Sequence, residues 1–282
     1  MTSPVSPAQR RAIFVDVDGT LTNHLGQIPD SARSAIGRAR GAGHLTFLCT
    51  GRSPATFWKD IVSIGWDGVV GAAGGYVEVG GEVIVQRHLG TDQVTRVVDY
   101  FRDHDVEFML ETNAVTYSTP KAPEEVWTQM LDQVGDEELH AQLMRSAMAF
   151  VHQLNITDDL VRDDVNKIVF LGHSGLSFDQ IRTAFPDFDL VPASVPGFGG
   201  EMSQRGVHKA SGVAAVLEKI GLDRSASVGF GDGYNDLEML QYVGVGVAMG
   251  QAPEAVKAVS DMVTSATDDD GLARGLAELG LA

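Results

Sequence analysis

Hydrophobic positions along this chain follow two textures, and the switch between them sets its organisation. Near the N-terminus, continuous apolar runs at 12–17 (AIFVDV), 44–49 (HLTFLC) and 69–73 read as strands. Helical segments at 30–41 and 54–64 separate them. Strands that are apolar on successive positions are covered on both faces, so this stretch predicts βαβαβ, a parallel sheet between helices. Pro29-Asp30-Ser31 starts the first helix, and Gly41 and Gly43 end it. Residues 76–79 and 82–85 flank Gly80-Gly81, the signature of a hairpin with a two-residue turn.

The second texture runs from about 86 to 194. Helix-like segments (91–103, 123–133, 136–149, 176–185) mix there with alternating strand-like ones (106–111, 115–119, 165–171, 188–193). After Pro196 the first texture returns. Helices at 207–220, 234–241 and 253–259 alternate with strands at 226–230, 243–248 and 261–264, and a last helix closes the chain. The expected fold is therefore α/β: a Rossmann-like core built from 1–81 and 195–282, with an α+β cap inserted at 82–194. Residues 1–10 read as a loose arm.

Composition adds exclusions. A chain of 282 residues suits one large or two medium domains, and 44% hydrophobic with 21% charged residues is ordinary for a soluble globular protein. A net charge of −17 argues against nucleic acid and anionic membranes as partners. It also requires any site for an anion to carry its own local positive charge. The single cysteine, Cys49, excludes an internal disulfide and a Cys-based zinc site. No run reaches membrane-span length, so a cytoplasmic location is expected.

The candidate chemistry lies at the ends of the predicted core strands, where open α/β sheets bind ligands. Asp16 and Asp18 end the first strand, two apart and so on one face. GFGDGYND at 229–236 ends another strand and supplies Asp232 and Asp236. Two acidic pairs repel each other unless a cation sits between them, and oxygen-only ligation suits a hard ion, Mg²⁺ above all. Thr50-Gly51-Arg52-Ser53 offers a hydroxyl and free N–H groups at a helix start, suited to phosphate oxygens. Lys209, in GVHKASG at another helix start, supplies a point charge for phosphate or an ionised aspartate.

In that order, Asp16-x-Asp18-Gly-Thr, Thr50-Gly-Arg, Lys209 and Gly231-Asp232-Gly-x-Asn235-Asp236 resemble the four motifs of the haloacid dehalogenase (HAD) superfamily. The long insertion resembles the C2B cap of Cof-like, subfamily IIB phosphatases. The resemblance implies Asp16 as nucleophile and Asp18 as acid/base. It implies Mg²⁺ on Asp16, the backbone carbonyl of Asp18 and Asp232, with Asp236 as an outer partner. Thr50 and Lys209 would hold the transferring phosphoryl group, with Gly51, Arg52 and Asn235 contacting substrate. Asn235 could instead orient Lys209, and Arg52 could equally form a structural salt bridge. One segment departs from the pattern: where many Cof-like members carry Asn-Gly, this chain has Gly71-Ala-Ala-Gly-Gly75, with Ala73 at the Asn position.

The implied function is a Mg²⁺-dependent phosphatase for a small phosphorylated metabolite resembling a sugar phosphate, in a monomer or small homo-oligomer. A phosphomutase of the same family is the alternative. It would need clustered cap arginines, and Arg87, Arg96, Arg102, Arg145, Arg162 and Arg182 show no cluster. A phosphate-sensing regulatory domain shares the acid, Thr and Lys chemistry but is small and uncapped. Elsewhere, His208 reads as a solvated or capping residue, Lys167 as a snorkelling edge lysine that could alternatively reach across the cleft, and Asp268–Asp270 as a cap for the last helix. Glu201 and Arg205 are minor candidates.

Overall fold

The computed structural model describes residues 10–131, 151, 153–172, 175–193 and 199–282. The expected arm up to residue 9, the helix expected at 136–149 with its Arg145, and the end of the helix expected at 123–133 lie outside the described residues, and the 194/195 boundary expected from texture gives way to one at Val207/His208. The chain divides into two compact units, one of Met1–Arg52, Phe57–Gln86 and His208–Ala282, the other of Ser53–Thr56 and Arg87–Val207.

In chain order the strands are β1 (Ala12–Val15), β2 (Leu45–Cys49), β3 (Gly68–Gly71), β4 (Tyr76–Val79) and β5 (Glu82–Gln86). Then come β6 (Phe108–Thr112), β7 (Thr116–Ser118), β8 (Leu154–Ile156), β9 (Val165–Phe170), β10 (Phe188–Pro192) and β11 (Gly200–Gln204). The last are β12 (Ser227–Gly231), β13 (Val245–Ala248) and β14 (Met262–Val263).

The first unit is an eight-stranded sheet in the order β14-β13-β12-β1-β2-β3-β4-β5. From β14 to β3 its neighbours pair in parallel, and β4 and β5 add an antiparallel hairpin at one edge. Gly80 and Gly81 form the hairpin turn at φ 58° and 85°, values that side chains resist and glycine accepts. Because β5 pairs with β4, the chain stays in this unit to Gln86, beyond the 81/82 boundary expected from texture.

Successive residues of β1 point to opposite faces, and both faces are buried. Ile13 and Val15 pack with Ile36, Leu272 and Leu276, from the helices Asp30–Gly41 and Gly271–Glu278. Phe14 packs with Phe47 of β2 and with Val213, Val216 and Leu240, from the helices Lys209–Ile220 and Leu237–Tyr242. The Phe14 and Phe47 rings stack at 5.1 Å. Burying each such side chain contributes roughly 2–3 kcal/mol, which fixes β1 as the rigid centre of the sheet.

Among the described residues, the second unit holds a six-stranded sheet, β10-β11-β9-β6-β7-β8. One face carries Phe108, Leu110, Ile168, Phe170 and Met202, packed with Val97, Phe101 and Ile181 of the helices Thr91–Asp103 and Phe178–Ala184 and with Phe185 just after the second helix. Glu111, Lys167 and Glu201 alternate with these residues along β6, β9 and β11. Lys167 is 2% exposed, with Nζ 2.8 Å from Glu201 Oε1 and 3.7 Å from Glu111 Oε1. β9 lies between β11 and β6, so Lys167 is a buried, ion-paired residue of an interior strand rather than a snorkelling edge lysine. Glu111 Oε2 also accepts from Ser53 Oγ at 2.7 Å and Ser53 N at 3.2 Å.

The helix expected at 54–64 is broken. Pro54–Thr56 forms one 3₁₀ turn, Trp58 is extended at φ −98° and ψ 157°, and only Lys59–Val62 is α-helical. Ser53–Thr56 packs within the second unit, whereas Phe57 and Trp58 pack on the core of the first. β8 and β11 carry no strand signal of their own: β8 is three residues long, and GEMSQ has no β-branched residue.

Candidate active site

Parallel pairing sends β12, β1 and β2 in one direction, so the residues after them emerge at one edge of the sheet. β1 is the switch point: the chain proceeds from it to β2 on one side and returns later to β12 on the other. Asp16 and Asp18 come just after β1, Thr50 after β2, and Asp232 after β12. Helix Lys209–Ile220 covers the Phe14 face and brings its first residue to the same edge.

Asp16 is 5% exposed, and its backbone N–H donates to Phe230 O at 3.0 Å, which continues the β1–β12 ladder. Lys209 is fully buried. Its Nζ lies 2.6 Å from Asp16 Oδ1, 2.6 Å from Asp236 Oδ1 and 3.5 Å from Asn235 Oδ1. Asp236 is also fully buried, and its Oδ2 accepts from the backbone N–H groups of Asp232 and Gly233 at 3.0 and 2.9 Å. Asp232 Oδ1 accepts from Thr20 Oγ1 at 3.1 Å. One carboxylate oxygen from each of Asp16, Asp232 and Asp236 lies within 4.8 Å of the others.

Three carboxylates around one ammonium leave excess negative charge in a buried space. Burial, reinforced by Asp236, pushes Asp232 up to about 7. Burial and the neighbouring carboxylates raise Asp16 well above the ordinary range, even with Lys209 opposing them. Burial alone would lower Lys209, yet Asp16 and Asp236 outweigh it and hold the ammonium charged. The donor set is all oxygen and short of positive charge, which fits a hard divalent cation.

Asp18 departs from this group. Its side chain is 56% exposed and turned to Arg52, whose Nε and Nη2 donate to Oδ2 and Oδ1 at 2.8 and 2.7 Å. The guanidinium stacks on Trp58 with Cζ 4.4 Å from the ring centre. Thr50 is 1% exposed, and its Oγ1 accepts from Arg52 N at 3.1 Å; Gly51 between them is buried. His208 is the N-cap of helix Lys209–Ile220: its Nδ1 accepts from Ser211 N at 3.3 Å, in line with the capping reading.

Gly19 and Thr20 belong to the first motif without an assigned role, and Gln251 and Thr267 carried no signal in the sequence. Thr20 and Gln251 support the loop after β1, and Gln251 and Thr267 both donate to Gly19 O. Gly19 has φ +87°, and a side chain there would collide with the Asp232 carboxylate. Gln251 could have been found from its place just beyond a parallel strand, β13. The acidic run 268–270 does stand before helix Gly271–Glu278, but the cap residue Asp270 makes no side-chain cap bond; it accepts from Ser31 instead, and Asp268 from Asn23. Arg205 donates to Pro186 O at 2.8 Å, a structural contact.

An open, mainly parallel sheet with carboxylates at its central strand ends and a buried lysine at the start of a covering helix defines an α/β enzyme of the acid-cluster type. The model of the haloacid dehalogenase-like hydrolases matches residues 13–276, and the chain belongs to that family. Bacillus subtilis YkrA, provisionally named a phosphatase, is 31% identical over 96% of this chain and 98% of its own. The 5-amino-6-(5-phospho-D-ribitylamino)uracil phosphatase YcsE of the same organism is 25% identical over 94% of each chain. A crystal structure from Geobacillus kaustophilus superposes with a TM-score of 0.77 at 27% identity, covering 97% of this chain and all of the other. The HAD subclass IIB sugar phosphatase BT4131 shares the fold, with a TM-score of 0.77 at 23% identity over 96% and 100%. Among the described residues no helix is long and apolar enough to cross a membrane.

Proposed function

We propose that this hydrolase is a Mg²⁺-dependent phosphatase that cleaves the ester of a small phosphorylated metabolite, of sugar-phosphate type, through a phosphorylated Asp16. The observation that carries the reading is the cluster of Asp16, Asp232 and Asp236, two of whose carboxylates are buried and paired with Lys209. Asp16, Asp232 and the backbone carbonyl of Asp18 would hold the ion, with Asp236 behind them. Bound there, Mg²⁺ supplies neutralisation of phosphoryl charge.

In the first half-reaction an oxygen of Asp16 bonds to phosphorus as the ester P–O bond breaks, and Asp18 gives a proton to the departing alkoxide. In the second, water attacks the same phosphorus and passes its proton to Asp18, and the Asp16–phosphorus bond breaks to release inorganic phosphate. Lys209 holds Asp16 in place for attack, and with Thr50 it offsets charge on the transferring group. The arginines of the inserted unit favour hydrolysis over a mutase. Arg96, Arg162 and Arg182 pair with Asp187, Asp164 and Asp179, and Arg102 bonds the backbone of Asp158, so none of these four is gathered to grip a second phosphate.

Turnover of p-nitrophenyl phosphate with Mg²⁺ tests the reading. Activity should vanish with EDTA and in Asp16→Asn, while Asp18→Asn should still accumulate phosphorylated protein slowly. Metal-independent turnover, or full activity of Asp16→Asn, would refute it.

A further inference from the structure

Asp18 presents a physical problem. Its side chain is 56% exposed, and an exposed aspartate ordinarily samples several rotamers. A proton donor must stand within hydrogen-bond reach of one leaving oxygen. Arg52 removes that freedom. Its two parallel N–H donors fix both the position and the plane of the Asp18 carboxylate, the geometry in which arginine and carboxylate match best.

Arg52 is itself held at several points. Trp58 lies under its guanidinium at 4.4 Å, Thr50 Oγ1 accepts its backbone N–H at 3.1 Å, and its carbonyl accepts from Ala72 N at 2.7 Å. The bidentate pair leaves a second lone-pair direction on each carboxylate oxygen, so Asp18 can take a further partner without releasing Arg52.

We infer that Arg52 is a positioning residue for Asp18, aiming its carboxylate at the leaving-group oxygen, rather than a ligand for the substrate. This rests on the proposed role of Asp18 as acid/base. The substrates that depend on Arg52 are then those whose leaving group needs a proton, alkyl phosphates above all.

Two substrates separate the possibilities. p-Nitrophenolate leaves without protonation, whereas the alkoxide of glycerol 2-phosphate does not. The value of kcat/KM covers only the steps through departure of the leaving group, and the ratio between substrates does not depend on how much of a variant preparation is folded. Arg52→Ala should lower kcat/KM for glycerol 2-phosphate by about 10- to 100-fold, and for p-nitrophenyl phosphate by no more than about threefold. Arg52→Lys, which keeps the charge but loses the fork, should restore the ratio only in part. Asp18→Asn is the control and should show the same discrimination more strongly.

Equal losses on both substrates in Arg52→Ala, alongside a discriminating Asp18→Asn, would make Arg52 a substrate-binding or structural residue and overturn the inference while leaving the phosphatase reading intact. No loss in Arg52→Ala, or full recovery in Arg52→Lys, would overturn it equally. If Asp18→Asn fails to discriminate, the acid/base role itself fails, and the inference with it.

Discussion

The ammonium of Lys209 lies 2.6 Å from Oδ1 of Asp16, although 193 positions separate the two residues in the chain. That bond ties the first strand of the core to a helix that arrives only after the whole insertion, and Lys209 simultaneously holds Asp236 at 2.6 Å. Lys209→Met keeps the volume but leaves two buried carboxylates without their cation. Unfolding in urea should show a loss of about 3–5 kcal/mol, the scale of a broken buried ion pair, and phosphatase turnover should fall at least about 100-fold. Lys209→Arg should not rescue turnover, because the site is fully buried and a planar fork does not fit a point-charge position. A Lys209→Met protein as stable as the parent would show that the pair does not hold this edge together.

The acidic group makes stability depend on pH in a definite direction. In the fold without metal, Asp232 is pushed up to about 7, mainly by burial and by Asp236, and Asp16 is raised for similar reasons. The folded state therefore keeps protons that the unfolded chain has already lost. Stability from these groups is present below the ordinary carboxylate range and falls as pH rises toward about 7. EDTA-treated protein should thus melt higher at mildly acidic pH than at pH slightly above 7, and added Mg²⁺ should raise the melting temperature most at the higher pH. Melting temperatures that rise with pH and ignore Mg²⁺ would contradict this reading.

Much of this edge was legible in the sequence because it is made of strand ends. The runs 12–17, 44–49 and 226–230 are largely apolar without a two-residue alternation, which places them inside a parallel sheet, and parallel strands deliver the residues after them to one side. Asp16, Thr50 and Asp232 were therefore readable together. The partner of Asp18 was not, because Arg52 lies in the loop after β2, and no periodicity fixes where a loop side chain turns. The same loop broke the expected helix at 54–64. Lys167 was misread for a related reason: a lysine in an apolar strand looks like an edge residue until β11, which lacks β-branched residues, is seen to pair beside it.

Glu111 bears on that loop within the second unit. It accepts both the hydroxyl and the backbone N–H of Ser53, and its other oxygen faces Lys167 at 3.7 Å. Glu111→Ala leaves a buried N–H, a hydroxyl and part of a lysine's charge uncompensated. The expected loss is about 2–3 kcal/mol in urea unfolding. Glu111→Gln retains an acceptor for Ser53 and should cost less than half as much. Equal costs for the two variants would place the effect on the Lys167 charge and not on Ser53.

The loop after β3 holds two non-glycine residues in the left-handed region in succession, Ala72 at φ 47° and Ala73 at φ 52°. Such a conformation costs roughly 1–2 kcal/mol per residue for an L side chain. It is maintained because the loop bonds to the backbone on either side of Gly51: Ala73 N donates to Thr50 O at 3.1 Å, and Ala72 N to Arg52 O at 2.7 Å. Asparagine tolerates left-handed geometry better than alanine, which gives a backbone reason for an Asn at the position of Ala73. Ala73→Asn and Ala73→Gly should both keep these bonds while relieving strain. Each should raise the melting temperature by about 2–4 °C, the shift that about 1 kcal/mol makes in a domain of this size. The asparagine variant should gain at least as much as the glycine variant, because glycine also frees the unfolded chain. A fall in melting temperature for both would show that alanine is unstrained here, and that this loop does not hold the backbone around Gly51 through left-handed geometry.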